Sequence, residues 1–372
     1  MKIGILSYHN SVNYGAVLQI LALKATLEKM GAEVSVVDYS AIASEYGQFS
    51  LRKAIENNGA IRALAKFAYF NLIAKKHIIM KKEKFEEFTR EYFNLSPQYK
   101  SVDEFEKNND FDVIICGSDQ IWNPEITNGF NPMLFCDFNS DRIKKYSYAA
   151  SVGDVKIISS EDKKNEFLNL IKNFHQIAVR EKELAEFISE NTSFNPLVTL
   201  DPTLLLDAGE YDKVEGNKKA KKDYVLIYQL ARYPKTMEVA KQLAKENNLK
   251  IIEIINNPYI KNKNNLMEFS ASPGEFVNLM KNAKYVITNS FHGTVFSIIF
   301  KKNFYTIASR TRNSRIINIL GTLGLSDRLL EEESQYLPRE EIDYSIVQPL
   351  LEKERKASLN YLKRIVLSEK NE

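Results

Sequence analysis

The sequence predicts an α/β protein made of two Rossmann-like domains that face each other across a cleft. Its 372 residues exceed the size at which one hydrophobic core stops growing, so two domains are expected. Short apolar runs, typical of buried parallel strands, alternate with stretches of helical periodicity. This alternation starts at the N-terminus and starts again near residue 223, so it predicts two halves of the same kind.

The first series predicts a domain over residues 1–205. It opens with the strand KIGIL, a polar turn, a helix that ends at Gly31 and the strand EVSVVDY, which together make a β-α-β unit. Alternation then continues with strands at DVIICG, YSYAAS, QIAVR and LVTL, and with helices around 81–92, 161–174 and 181–190.

The second series predicts a domain over residues 222–340. One of its helices begins after Ser272 as N-cap, with Pro273 at the first helical position, which is a strong start signal. The strands expected here are YVLIYQL, KIIEII, YVIT and FYTIA. Residues 201–222 resemble a linker because they contain proline, glycine and a lysine cluster, and residues 342–372 predict one C-terminal helix.

Composition excludes several classes of protein. A formal net charge of +3 is too small to indicate a nucleic-acid partner. Two cysteines, Cys116 and Cys136, exclude a disulfide scaffold and a cysteine-rich zinc site, and they fit a reducing cytoplasm. The N-terminus does not have the form of a signal peptide, and no run approaches the roughly 18 apolar residues of a spanning helix. We therefore expect a cytoplasmic protein without a bound metal.

Residues 51–85 form a basic segment that does not fit the Rossmann pattern. Nine lysines and arginines stand against two glutamates, a local net charge of +7, with large apolar residues between them. Two interpretations remain open. A basic amphipathic helix over 61–82 could lie on an anionic membrane surface, or the helix could pack on its own domain with a solvated basic face.

The run TNSFHGTVFSIIF joins a predicted strand to a predicted helix at one of only four histidines in the chain. A helix start favours an anion, here through the amides near Gly293 and Thr294, and glycine lets a ligand approach closely. Asn289 and Ser290 lie in the same turn. His292 can donate a hydrogen bond and move a proton near neutral pH, although it could also merely cap the helix.

The run IICGSDQIWNP has the same form, a buried strand followed by polar residues. Asp119 follows Gly117 and Ser118 directly and could take a proton from a hydroxyl. The indole of Trp122 offers a flat apolar face that suits a sugar ring. An aspartate in a turn and a tryptophan in the core are the alternatives.

Four arginines are placed to bind an anion. Arg180 ends the strand QIAVR, and Arg310, Arg312 and Arg315 follow the strand FYTIA. Guanidinium groups match carboxylate and phosphate oxygens in a bidentate manner. Surface ion pairs with neighbouring glutamates, or a solvated basic loop, are the alternatives.

An ordered set of motifs resembles the polysaccharide pyruvyl transferase family. The motifs are NYGAVLQ, CGSDQIWNP, YSYAASVG, VREKE, LDPTLLL and TNSFHGTVFSIIFKKNF, and together they span about residues 1–330. The resemblance implies a fold similar to GT-B glycosyltransferases. It also implies transfer of a pyruvyl group from phosphoenolpyruvate to two hydroxyls of one sugar, which gives a pyruvate ketal. The acceptor implied is a bacterial-type capsule, exopolysaccharide or lipid-linked precursor, and the last of these would give the basic helix a purpose.

The resemblance also implies roles for individual residues. His292 matches the family histidine and is the expected acid at the phosphate end, while Asp119 is the expected base near the acceptor. The expected donor-binding residues are Arg180, Asn289, Ser290, Gly293, Thr294, Arg312 and Arg315. The expected acceptor-binding residues are Asn13, Tyr14, Gly15, Ser118, Gln120 and Trp122. Many members carry arginine where this chain has Ser290, so Arg315 or Arg312 is expected to supply that guanidinium. Phosphoenolpyruvate is a substrate, and no cofactor is expected.

Two rival functions remain at this point. A nucleotide-sugar glycosyltransferase on the same fold would use the same helix start for a diphosphate, because fold does not determine function. A non-catalytic glycan-binding relative is the other, and Ser290 in place of arginine is the feature that supports it.

Overall fold

The fold is given by a computed structural model. It describes residues 1–39, 67–68, 74–140, 142–216, 223–255, 266–308, 314–334, 337–338 and 340–368.

The first domain is built on a parallel sheet in the order β2-β1-β3-β4. Its strands are β1 (Lys2–Leu6), β2 (Glu33–Val36), β3 (Val113–Cys116) and β4 (Lys144–Ser147). A short parallel pair, β5 (Ala178–Val179) and β6 (Leu197–Val198), continues the sheet beyond β4, because the Ala150 amide donates to the Ala178 carbonyl. The helices of this half are α1 (Tyr14–Lys29), α2 (Lys75–Tyr92), α3 (Val102–Asn108), α4 (Pro124–Thr127), α5 (Glu161–Ile171) and α6 (Lys182–Asn191).

The second domain is built on six parallel strands in the order β12-β11-β10-β7-β8-β9. The strands are β7 (Tyr224–Tyr228), β8 (Lys250–Ile254), β9 (Leu266–Glu268), β10 (Tyr285–Thr288), β11 (Asn303–Ile307) and β12 (Leu329–Leu330). After the short α7 (Ala208–Tyr211), its helices are α8 (Pro234–Glu246), α9 (Pro273–Asn282), α10 (Phe291–Ile299), α11 (Ser314–Thr322) and the C-terminal α12 (Tyr344–Ser368).

Strand order places a ligand site in each domain. Read from β9, the second sheet has the order of the Rossmann fold, and it reverses direction between β7 and β10. The first sheet reverses between β1 and β3. Ligands of such sheets bind beyond the carboxyl ends of the strands at these points. The loops after β1, β3, β7 and β10 are therefore the places to look for a site.

The predicted alternation of strands and helices in two halves is confirmed, with differences at the ends of elements. Ser272 caps α9 in a full capping box with Glu275, and Gly31 has a left-handed φ of 87° after α1, both as predicted. The sequence did not predict α3, β9 or β12. The domain boundaries at residues 205 and 222 stay a prediction.

The predicted linker over residues 201–222 is wrong for its first part. Residues Pro202–Leu205 form a 3₁₀ turn, and Thr203 and Leu204 have no exposed surface. The apolar run TLLL packs between α1, α10 and α12, so burial of leucine side chains overrides the loop-like composition. Asp201 begins this turn and is thereby fixed between the two domains.

Helix α12 joins the two domains. The Tyr344 hydroxyl donates to the Lys302 carbonyl (2.7 Å) in the second domain, and the Tyr361 hydroxyl donates to the Ser147 carbonyl (2.9 Å) in the first. The predicted C-terminal helix is observed over Tyr344–Ser368 and contacts both domains. Among the residues described, no helix has the length and apolar character needed to cross a membrane.

The basic segment falls mostly outside the described residues, and only its last part, in α2, can be compared. Lys81 has no exposed surface, and its ammonium lies 4.6 Å from the centre of the Tyr14 ring. Lys84 pairs with Glu275 of the second domain at 2.6 Å. Lys81 is therefore buried rather than on a solvated face, and Lys84 contacts the second domain. Contact of the segment with a membrane stays a prediction.

Candidate functional site

The N-termini of α1 and α10 meet at the boundary between the domains. A Cβ added to Gly15 would lie 1.9 Å from Nδ1 of His292, so only glycine leaves room for the imidazole. Asn13 caps α1 by accepting from the Gly15 amide at 3.0 Å. The motif NYG was predicted to contact the acceptor. In the structure, its Asn13 caps the helix and its Gly15 lets His292 lie against the first turn of α1.

The start of α10 is largely satisfied by its own residues. Ser290 is the N-cap and accepts from the Gly293 amide at 3.4 Å. The Thr294 hydroxyl is buried and bonded to the Ser290 carbonyl and the Thr306 hydroxyl. The amides left to a ligand at this helix start are those of Phe291 and His292.

Gly293 does not have the predicted role of opening the backbone to a ligand. A Cβ there would lie 2.2 Å from the Thr288 hydroxyl and 3.0 Å from the Tyr228 ring. Its missing side chain lets α10 pack closely on strands β7 and β10. With Thr294 buried as well, the predicted ligand contacts of both residues are contradicted, because these positions face the sheet.

Asn289 organises a loop. Its side-chain oxygen accepts from the Leu230 amide at 2.8 Å, and its nitrogen donates to the Ala231 carbonyl at 2.5 Å. Both of these bonds go to the segment after β7. The predicted donor-binding residue therefore holds the loops at the strand-order reversal of the second sheet together.

Asp201 links the two residues that the family resemblance singled out. Its Oδ2 lies 2.5 Å from Nη2 of Arg180 and 3.5 Å from Nε2 of His292, and all three side chains are buried. Burial by itself would raise the pKa of Asp201, but the charges of Arg180 and His292 hold that pKa well below its usual range. Sequence reasoning missed this residue because it lay in the predicted linker, although the motif LDPTLLL contains it.

Arg315 enters the same cluster from the second domain. Its Nη1 lies 3.7 Å from Oδ1 of Asp119, and its Nε lies 3.9 Å from Oε1 of Glu181. Asp119 is also 3.8 Å from Nη1 of Arg180, so it stands between two guanidinium groups. The guanidinium carbons of Arg180 and Arg315 lie 4.9 and 5.4 Å from the centre of the Phe291 ring. We call Asp119, Arg180, Glu181, Asp201, His292 and Arg315 the interdomain cluster. Arg312 lies outside the described residues.

Several polar atoms of the interdomain cluster are buried and form no hydrogen bond to any residue that the structure describes. They are Nε and Nη1 of Arg180, Nε of Arg315, Nε2 of His292, Oε2 of Glu181 and Oδ2 of Asp201. Buried polar groups are normally paired, so such a concentration needs an explanation. Most of these atoms are donors or potential donors. A ligand rich in oxygen acceptors would satisfy them.

Trp122 corrects the predicted acceptor site. The indole has no exposed surface, lies 5.3 Å from Phe135 in a stacked pair, and donates to the Leu134 carbonyl at 3.0 Å. Trp122 is therefore a core residue, which was the alternative interpretation of its motif. The contact with a sugar is wrong because the chain after Asp119 turns back into the first domain.

Tyr14 is likewise buried, with 1% of its surface exposed. Its ring stacks on Phe276 at 4.5 Å and its hydroxyl donates to the Ala271 carbonyl at 3.0 Å, both in the second domain. The predicted acceptor contact is contradicted, and the side chain instead holds α1 against α9.

Ser118 and Gln120 serve the cluster indirectly. The Ser118 hydroxyl accepts from Nη2 of Arg180 and donates to the Ala149 carbonyl at 3.2 Å. The Gln120 side chain accepts from Asn123 at 2.8 Å. Both are buried, and the contacts shown for them orient Arg180 and the loop after β3.

A cavity of about 410 Å³ lies in the first domain between the loop after β1 and helix α2. It is lined by residues 9–12 and by Lys82, Phe85, Glu86, Thr89, Arg90 and Leu95. Both polar and apolar side chains line it, as is common in sites that bind small polar molecules. In the described part of the chain, no group of histidine, cysteine, aspartate or glutamate is arranged to hold a metal ion.

Several solved structures are similar to this chain at low sequence identity. UDP-GlcNAc 2-epimerase from Neisseria meningitidis, bound to UDP-GlcNAc, is 12% identical with a TM-score of 0.50, and the match covers 99% of each chain. MnaA from S. aureus, solved with UDP, is 14% identical with a TM-score of 0.48 over 98% of this chain and 94% of that one. The heptosyltransferase WaaC from E. coli, solved with ADP, is 9% identical with a TM-score of 0.39 over 95% and 100%. At 12% identity the likeness to the N. meningitidis structure concerns the fold alone, and the predicted GT-B-like arrangement is confirmed.

Sequence comparison identifies the family. No curated protein sequence is a match to this chain. The model of the family described as polysaccharide pyruvyl transferase matches residues 13–311, about four-fifths of the chain, and this range contains every residue of the interdomain cluster except Arg315. The chain belongs to the polysaccharide pyruvyl transferase family.

Proposed function

We propose that the protein transfers a pyruvyl group from phosphoenolpyruvate to two hydroxyls of one sugar, which forms a pyruvate ketal. The observation that carries this proposal is the set of buried nitrogens on Arg180, Arg315 and His292 that form no hydrogen bond to the described residues, gathered where the two domains meet. Phosphoenolpyruvate has a phosphate and a carboxylate, and these two groups match two guanidinium groups and a helix start.

The proposed donor-binding site combines residues of both domains. Arg180 comes from the first domain, whereas Arg315 and the amides of Phe291 and His292 come from the second. Ser290 caps α10, so the arginine that many family members carry at this position has no equivalent there. Arg315 supplies a guanidinium in its place, and its contacts at 3.7 and 3.9 Å are loose enough to be exchanged for a ligand.

The reaction adds two protons to the donor, one to its methylene carbon and one to its phosphate, and removes one proton from each of two sugar hydroxyls. The methylene carbon of the donor gains a proton, and the oxygen of one sugar hydroxyl bonds to the adjacent carbon while its proton leaves to Asp119. The carbon–oxygen bond to phosphate then breaks, and phosphate departs with the electron pair and a proton from His292. The second hydroxyl bonds to the same carbon, closes the ring and gives its proton to His292, which lost one to the phosphate. Asp201 keeps His292 oriented through the 3.5 Å contact at Nε2.

The acceptor approaches from the first domain. The cavity of about 410 Å³ between the loop after β1 and α2 is large enough for a sugar residue. The same loop continues into Gly15, against which His292 of the interdomain cluster lies. We assign the acceptor to a sugar of a bacterial-type polysaccharide or of its lipid-linked precursor, in keeping with the family.

Phosphate release is the direct test of the function. Purified protein is incubated with phosphoenolpyruvate, with and without a candidate acceptor glycan, and the product is examined by NMR for a ketal methyl group. Phosphate release that depends on the acceptor, together with that methyl signal, is the expected result. Thermal stabilisation by UDP-sugars and none by phosphoenolpyruvate would contradict the proposal and favour a glycosyltransferase.

A further inference from the structure

Glu181 is a buried carboxyl that the sequence did not place in the site. It directly follows Arg180 and immediately precedes α6, where its side chain makes no helix cap. The residue is 2% exposed and turns into the interdomain cluster. The Ser151 hydroxyl donates to Oε1, whereas Oε2 is buried with no partner in the described structure. One oxygen is therefore fixed and lies 3.9 Å from Nε of Arg315, and the other is left for a ligand.

Charge balance decides the state of this carboxyl when the donor binds. The interdomain cluster holds three carboxyls against two guanidinium groups and one imidazole. An anionic donor adds further negative charge within a few ångströms, where charges interact strongly at low dielectric. At least one carboxyl is expected to be neutral in the donor complex.

Glu181 is the carboxyl best suited to be neutral. Asp201 is bound to Arg180 at 2.5 Å, and Asp119 lies 3.7 and 3.8 Å from two guanidinium groups. Among the residues described, Glu181 pairs with Arg315 at the longer distance of 3.9 Å. Burial raises the pKa of Glu181, and the charges of Arg315 and Arg180 oppose that rise only in part. The charged and titratable groups of the cluster around it are Asp119, Arg180, Asp201, His292 and Arg315.

We propose that Glu181 takes up the proton that accompanies donor binding and delivers it from Oε2 to the methylene carbon of phosphoenolpyruvate. This inference rests on the proposed function and adds the acid that the carbon requires. The Oε2–H bond breaks, and the π electrons of the donor double bond form the new C–H bond. The adjacent carbon becomes electrophilic and is attacked by the sugar hydroxyl, while His292 serves the departing phosphate. A carboxylic acid kept neutral by burial is suited to such a transfer.

The test is calorimetry of phosphoenolpyruvate binding in two buffers of equal pH and different ionisation enthalpy. The wild-type protein should take up about one proton per donor more than Glu181→Gln, because glutamine cannot titrate. Glutamine keeps the bond from Ser151 and presents an NH₂ donor where Oε2–H stood. Its donor affinity should therefore stay within about threefold of wild type at neutral pH, while turnover falls by about 10²–10⁴-fold.

The outcomes separate this inference from the function itself. If wild type does not bind phosphoenolpyruvate, the proposed function fails. If wild type binds and turns over but Glu181→Gln takes up the same number of protons, or keeps more than about a tenth of the rate, only the role of Glu181 fails. Ser151→Ala is a second variant that does not change a charge. It should lower turnover while proton uptake persists, and unchanged turnover would contradict the fixed orientation of Oε2.

Discussion

The two arginines of the interdomain cluster are held in different ways. Arg180 is tied to Asp201 at 2.5 Å and to the Ser118 hydroxyl, and its side chain is 3% exposed. The ion pairs of Arg315 with described residues are at 3.7 and 3.9 Å, and its side chain is 10% exposed. A tight, buried pair supports the fold as well as a ligand, whereas loose contacts leave the charge free for the ligand. Mutations at the cluster should therefore separate stability from donor binding.

The largest effect is expected on the reaction rate, at His292. His292→Ala should lower turnover by about 10²–10⁴-fold, because it removes a general acid. The fold should remain, because the space left by the imidazole lies at the ligand site. Circular dichroism with a melting curve checks this. Turnover above about a tenth of wild type would contradict the assignment of His292 as an acid.

The next effect is expected on stability, at the tight pair. Arg180→Ala leaves Asp201 buried without its partner, which typically lowers the free energy of unfolding by about 3–5 kcal/mol. Donor binding should also be lost. Arg180→Lys should recover part of the stability but not the donor affinity, because an ammonium cannot reproduce the planar fork. Chemical denaturation and donor titration measure the two effects, and full recovery of affinity by lysine would show that only charge matters.

A smaller and more selective effect is expected at the loose pair. Arg315→Ala should lower the free energy of unfolding by less than Arg180→Ala does, because its ion pairs at 3.7 and 3.9 Å are longer than the 2.5 Å pair of Arg180 with Asp201. It should still reduce donor affinity at least tenfold, about 1.4 kcal/mol, since one guanidinium of the clamp is gone. Equal losses of stability in the two arginine variants would remove the distinction on which the comparison rests.

The smallest effect on donor binding is expected at Lys81, a buried cation outside the cluster. Burial lowers the pKa of Lys81 to about 7, from an unfolded value of about 10.4. Between these two pH values Lys81 binds a proton in the unfolded chain more than in the folded one. The free energy of unfolding therefore rises with pH over this range. Lys81→Met should therefore raise the melting temperature most at about pH 6 and progressively less towards about pH 10. Donor affinity should not change, and a loss of affinity would show that any buried cation at the interface affects it.

Element order was predictable from the sequence because it depends on local periodicity. The alternation of apolar runs and helical spacing, and caps such as Ser272, are readable in a few neighbouring residues. His292, Asp119 and Arg180 were also placed correctly at strand ends, since parallel strands bring their carboxyl ends to one edge.

What sequence could not supply was the direction of side chains and the partners across the domain boundary. Trp122 and Tyr14 looked like ligand contacts but pack in the interior, and Gly293 serves helix–strand packing. Asp201 lay in a segment with the composition of a loop, and its importance comes from residues 21 positions before it and 91 after it in the chain. Glu181 appeared only as a neighbour in a surface ion pair. These facts depend on how two separate sheets face each other, which no local pattern encodes.

The central claim is that phosphoenolpyruvate binds at the interdomain cluster, and a crystal structure of the complex tests it most directly. The expected result places the donor between the domains, with its phosphate or carboxylate oxygens within hydrogen-bond distance of Nη1 of Arg180 and Nε of Arg315. The phosphate should also lie at the start of α10 beside His292. Phosphoenolpyruvate bound elsewhere, or Arg180 and Arg315 without contact to it, would contradict the account.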